Sequence, residues 1–208
     1  MVTRTHGLGW ASCLSDNVRV SQSYAVPLIL HHAGRLERLY TDFYWRWPQR
    51  TAFARRNRFL RRVVERQHPE LELDKVRSFG PLGITYKLAL DAAGDDERRR
   101  ERVWVLWGRW FAARVARAGF GDARTVYAFK TAALETFRAA KGRGIKCCVE
   151  QIIAPRELEV ALLAEEHRNW PGWEEAPAME PTRQVVVRER AEWAMADTIV
   201  AGSEWVRE

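Results

Sequence analysis

Short apolar runs alternate with capped, amphipathic runs along the second half of the chain, and this alternation restricts the fold more than any other feature. "TVYAF" reads as a short apolar strand, and "TAALETFRAAKGRG" as a helix closed by glycine. "IKCCVEQII" is a strand dense in β-branched residues, and "APRELEVALLAEEH" a helix with Pro155 in its first turn. "VVVRERAEWAMAD" is read as a helix with Val187, Ala191, Ala194 and Met195 on its apolar face, followed by the strand "TIVAG". Ser203 can cap the helix after it, with Glu204 well placed for the helix dipole. Strands alternating with helices predict a parallel sheet covered by helices on both sides.

The first half repeats the pattern less clearly. Residues 1–16 are read as a disordered leader and residues 17–208 as one domain. "NVRVSQS" alternates apolar and polar residues and predicts a strand from Val18. "YAVPLILHHAG" predicts a helix with Pro27 near its start and Gly34 at its end, and "RLERLYTDFY" a second strand. Strand, helix and strand in this spacing form a βαβ unit. "RTAFARRNRFLRRVVER" carries seven arginines around Phe53, Leu60, Val63 and Val64 and reads as a basic amphipathic helix. A strand is expected at Lys75–Phe79. A helix ending at Gly119 follows, with Trp104, Trp107, Phe111 and Val115 on one face. "NWPGWEEAPAMEPT" is a Pro-rich loop. The fold class expected is α/β, a doubly wound and mainly parallel Rossmann-like sheet.

Composition narrows the partners. The 208 residues carry 47% hydrophobic and 29% charged side chains, a globular balance. The net charge of +7 favours anionic partners without choosing among nucleic acid, acidic lipid and phosphate. Cys13, Cys147 and Cys148 form no disulfide framework, and the adjacent pair reads as small buried residues in a strand. "RVWVLWGRWFAARVA" comes nearest to a membrane span, but Arg102, Arg109 and Arg114 interrupt it. His31 and His32 point to different faces of one helix, and the other histidines show no ligand spacing, so no metal site and no cofactor are expected.

Three segments carry a family resemblance. "VSQSYAVPLILHHAGRLERLYTDFY" resembles the opening of bacterial family 4 glycosyltransferases, with its "GxLxRxYTD"-like stretch. "TVYAFKTAALETFRAAKGRGIKCCVEQIIAPRELE" resembles the middle of the same N-terminal domain, and "RERAEWAMADTIVAGSEWVRE" the segment that closes it. The resemblance implies the GT-B architecture, in which an acceptor-side and a donor-side Rossmann-like domain face each other across a cleft. This chain matches the acceptor side and stops inside the helix that begins "SEWVRE". The family's donor-side glutamate pair is not recognisable. The resemblance therefore implies a hexosyltransferase-like, acceptor-side domain that transfers no sugar without a donor half. The partners it implies are a free or lipid-linked sugar acceptor and a nucleotide-sugar donor held elsewhere. The cysteines fit a reducing, cytoplasmic compartment, and the arginine-rich helix at 50–66 and the Trp-rich helix at 103–116 either meet an anionic inner membrane surface or pack on the sheet with their arginines solvated.

The candidate site residues lie at strand ends, where ligands of open α/β sheets bind. Ser21 and Gln22 end the first predicted strand, with backbone amides following that can meet a phosphate; Ser23 can equally be a helix cap. Lys130 and Thr131 follow the strand "VYAF", where many family members carry a histidine facing the reaction centre. Lys130 can hold a phosphate or an acceptor oxygen, or be solvated, and Thr131 can cap the next helix. Glu150 and Gln151 end the next strand; Glu150 can orient a hydroxyl, and Arg156 can neutralise an anion or pair with a nearby carboxylate. Ser203 and Glu204 follow the last strand. Glu189 and Glu192 read as a solvated helix face. Trp45, Trp47, Trp170 and Trp173 either stack on sugars or bases or pack on neighbouring helices. The competing functions are a basic binding module for nucleic acid or an anionic membrane, and an inactive remnant. Nucleic acid is the less expected partner, because 27 acidic residues are spread among the basic ones and no nucleic-acid-binding signature is present.

Overall fold

The computed structural model describes residues 9–14, 24–45, 66–173 and 179–207. Six strands form one sheet: β1 (Gly9–Leu14), β2 (Leu36–Thr41), β3 (Val76–Ser78), β4 (Ala123–Phe129), β5 (Lys146–Gln151) and β6 (Thr198–Ala201). Their order is β3-β2-β1-β4-β5-β6, and every neighbouring pair is parallel. The helices are α1 (Ala25–His32), α2 (Gly80–Ala93), α3 (Glu97–Ala118), α4 (Leu134–Lys141), α5 (Arg156–Asn169), α6 (Met179–Met195) and α7 (Glu204–Arg207). The expected α/β class with a parallel sheet is present, in the strand order of a Rossmann-like fold. The order reverses between β1 and β4, and the carboxyl ends flanking that reversal are where such sheets receive ligands.

Alternation along the strands divides the core into two layers. In β4, Val126 and Ala128 join a cluster with Phe111, Val115 and Phe137 from α3 and α4. The intervening Tyr127 and Phe129 join Leu36, Leu39 and Tyr24, against which Val26, Leu28 and Leu30 of α1 pack. Successive strand residues point to opposite faces, so a strand covered on both sides is apolar on both, as β4 is from Val126 to Phe129. Cys147 and Cys148 divide between the same two layers, and burial pushes both thiols up to about 11. They behave as small apolar residues.

Three expectations change. The residue 1–16 leader is corrected in its second half: Gly9–Leu14 is a strand between β2 and β4. "GWASCL" carries no charged side chain and no strong alternation, which suits a strand flanked on both edges and hides it from a pattern search. The strand expected from Val18 lies outside the described residues, as does the basic helix over 50–66 apart from Arg66. The second change is an added element, α2, which has no counterpart among the sequence assignments and which its two glycines and Pro81 conceal. Proline suits a first turn, and Gly83 is needed because a Cβ there would stand 3.1 Å from the Asp42 carbonyl oxygen.

The third change is the orientation of α6. Val187, assigned to the apolar face, is 68% exposed, and the inward stripe is Val185, Arg188, Glu189 and Glu192. These positions are spaced i, i+3, i+4, i+7 and share one face. A mostly charged stripe is turned inward because it meets unpaired backbone groups at the carboxyl edge of the sheet. Glu189 and Glu192, read as solvated, are 1% and 0% exposed.

Candidate functional site

β4 ends at Phe129, and the chain turns through Lys130 and Thr131 into α4. Thr131 has φ +66°, a left-handed conformation that costs a β-branched residue strain. Two groups from α6 hold it there. Its amide donates to Glu192 Oε2 (2.6 Å), and its carbonyl accepts from Arg188 Nε (2.5 Å). Glu192 Oε1 also accepts from the amides of Ala133 (3.0 Å) and Leu134 (3.1 Å). The first amides of a helix have no intrahelical partner and attract an anion. Here that anion is a side chain of the same molecule. Thr131 itself caps nothing: Ala133 is the N-cap residue, without a side-chain bond. Burial pushes the Glu192 carboxyl up to about 7, against the opposing pull of Arg188 and the three amides.

Lys130 lies beside this cap. Its Nζ donates to Glu189 Oε1 (2.8 Å) and lies 3.5 Å from the Ala154 carbonyl oxygen. Glu189 also accepts from Gln151 Nε2 (3.3 Å) and from the Arg156 amide at the start of α5 (2.8 Å). Gln151 Oε1 accepts from Trp193 Nε1 (3.2 Å). Arg188 completes the set with a two-pronged contact to Glu135. Lys130, Thr131, Gln151 and the Arg156 amide thus converge on two carboxylates of α6. The Arg156 guanidinium turns away to Glu101 and Glu159.

The remaining candidates lie elsewhere. Glu150 points to the α1 side of the sheet and accepts from the Tyr127 hydroxyl (2.6 Å). Ser203 caps α7, accepting from the Val206 amide (3.3 Å), and Glu204 is exposed and paired with Arg207. Ser21, Gln22 and Trp47 lie outside the described residues. Trp170 and Trp173 are exposed in the loop after α5.

Sequence reasoning passed over Arg188 and Asp42 and assigned Glu189 and Glu192 to solvent. The i, i+4 spacing of Arg188 and Glu192 was the available signal, but it is equally common on exposed helices. Asp42 ends the "YTD" stretch at the carboxyl end of β2. It is 6% exposed, and burial pushes its carboxyl up to about 7. Among the described residues no group of His, Cys, Asp and Glu is placed to hold a metal ion, and no helix is long and apolar enough to cross a membrane. Comparison with protein-family models, with curated proteins and with solved structures finds no match for this chain.

Proposed function

We propose that the chain is the acceptor-side domain of a glycosyltransferase of the two-Rossmann-domain type, with the nucleotide-sugar donor held by a second domain. The observation that carries this reading is topological. The three segments that resemble the family contain β2, then β4 and β5, then β6, so the carboxyl ends of these strands share one edge of one parallel sheet.

The charge arrangement at that edge supports the acceptor over the donor role. A nucleotide sugar brings a diphosphate, and the helix N-terminus beside the switch point is the natural place for it. In this chain Glu192 fills that place, and the neighbouring Lys130 is neutralised by Glu189. A second anion there would face two buried carboxylates. An uncharged, hydroxyl-rich ligand carries no such penalty. One domain edge also cannot exclude water from a sugar in transfer, so catalysis on this reading requires the donor side as well.

Saturation-transfer NMR on the full chain tests the reading, using a panel of neutral glycosides and a panel of nucleotide sugars. Contact with at least one neutral glycoside, and no stronger contact with nucleotide sugars, is the expected result. Failure of every saccharide, together with salt-sensitive retention on RNA or anionic vesicles, would replace it with the basic binding module.

A further inference from the structure

α2 and α3 cover the side of the sheet away from α1, where Leu82 of α2 and Phe111 and Val115 of α3 enter the core. Their outer faces form a second surface, apart from the Lys130–Glu192 network. On α3 the exposed residues Arg102, Leu106, Arg109, Trp110 and Arg117 recur at helical spacing and share one side, and Arg114, one turn after Trp110, is exposed as well. On α2, Ile84 and Leu88 stand one turn apart and are 55% and 62% exposed. The two helices meet at this surface. Trp107 Nε1 donates to Thr85 Oγ1 (3.3 Å), and the Trp107 ring centre lies 4.8 Å from that of Trp110. Ile84, Leu88, Leu106 and Trp110 therefore lie around one contact between the helices.

The charge beside these apolar side chains is of one sign. α3 exposes seven arginines against one acid, Glu97, and has no acidic residue from Arg102 to Ala118. The nearby acids are already matched: Asp91 pairs with Lys87, Asp96 pairs with Arg99, and Glu135 binds Arg188 and lies 3.8 Å from Arg109. A single exposed leucine is ordinary, whereas four large apolar side chains gathered beside a row of arginines mark a contact surface. A second copy of the chain does not suit it, because a two-fold contact brings the same patch of both copies together, arginines included. RNA would satisfy the arginines but leave Ile84, Leu88 and Leu106 in water, since aliphatic side chains do not stack on bases. An anionic bilayer surface takes both: headgroup phosphates meet the guanidinium groups, and the aliphatic and tryptophan side chains enter the interface.

We infer that the α2–α3 face is a docking surface for an anionic lipid bilayer, with Ile84, Leu88, Leu106 and Trp110 entering the interface and Arg102, Arg114 and Arg117 meeting the headgroups. On this inference the Trp-rich helix packs on the sheet with one face and meets a membrane with the other. The inference concerns a surface outside the carboxyl-edge network and does not rest on the acceptor-side reading.

The test is sedimentation of the full chain with vesicles of phosphatidylcholine alone and of equal parts phosphatidylcholine and phosphatidylglycerol. The chain is expected to bind the mixed vesicles about tenfold or more tightly than the neutral ones, with the difference shrinking as salt is raised. Two double variants at exposed positions, Ile84→Ser with Leu88→Ser and Arg102→Gln with Arg114→Gln, are each expected to weaken binding to the mixed vesicles about tenfold. Absence of binding by the wild-type chain overturns the inference. So does binding by both variants within about twofold of wild type, which would place the lipid contact elsewhere. Loss in one variant alone overturns the combined contact, and loss confined to the arginine variant points to a polyanion such as RNA. If a variant does not fold, hydrogen exchange of the wild-type chain decides: slower exchange in α2 and α3 on adding mixed vesicles supports the inference, and unchanged exchange there overturns it. The saccharide panel decides the acceptor-side reading separately, so either proposal can fail alone.

Discussion

Asp42 near neutral pH is a carboxyl whose proton is held by burial, and the sign of its effect on stability follows. Its folded value is raised to about 7 from an ordinary 3.8. Between those values the folded chain keeps a proton that the unfolded chain has released, so stability from this group is full below the lower value and lost as pH rises through the upper one. Arg66 stays charged and the Tyr24 and Tyr86 phenols stay neutral across this window, so they add no slope. Asp42→Asn carries the neutral form at every pH. In urea denaturation it should match wild type below about pH 4 and exceed it near pH 8 by up to a few kcal/mol, at about 1.4 kcal/mol per tenfold change in proton affinity. An equal difference at both pH values would show that Asp42 titrates as an exposed carboxyl. Gly108 gives a second residue-scale outcome. A Cβ there would stand 2.7 Å from the carbonyl oxygen of Thr131, a backbone atom pinned by Arg188 that cannot yield. Alanine gains about 1 kcal/mol of helix propensity. The clash should more than cancel that gain, giving a net loss of about 1–2 kcal/mol by urea denaturation.

At the scale of the element, α6 joins α4, α5 and the sheet edge mainly through charge. Removing Glu192 leaves three buried amides without their anion and the Arg188 guanidinium with Glu135 alone. Glu192→Ala should therefore cost about 3–5 kcal/mol, as deletion of one partner of a buried pair does. Val187→Ala, on the outer face of the same helix, should stay within about 0.5 kcal/mol. Measuring both by chemical denaturation checks the helix orientation directly, because the apolar-face assignment from sequence predicts the reverse ranking. The presence of α6 was legible in "VVVRERAEWAMAD". Its rotation was not, because the stripe it buries matches no hydrophobic template. Its contents make sense only once the α4 amides stand opposite.

For the whole molecule, the sheet order sets a hierarchy of protection. β4 is paired on both edges and largely buried on both faces, whereas among the described residues β6 is paired with β5 alone and is largely exposed. Native-state hydrogen exchange should find the amides of Val126 and Ala128 opening only with global unfolding, and those of Ile199 and Val200 opening more easily. Comparable protection in the two strands would contradict an edge position for β6.

The alternation of strand and helix is a one-dimensional property, and from it the sequence by itself determined the α/β class, the parallel strands and most of the second half, from "TVYAF" to "TIVAG". Lys130, Thr131 and Gln151 could also be placed at the carboxyl edge, because strand ends are local features. Only the tertiary structure decided which strands are neighbours, that "GWASCL" is one of them, and what the edge residues do. Lys130 and Glu189 lie 59 residues apart, and so do Ala133 and Glu192. Whether a charge so placed is solvated or buried is set by what the fold brings against it, and no local pattern encodes that.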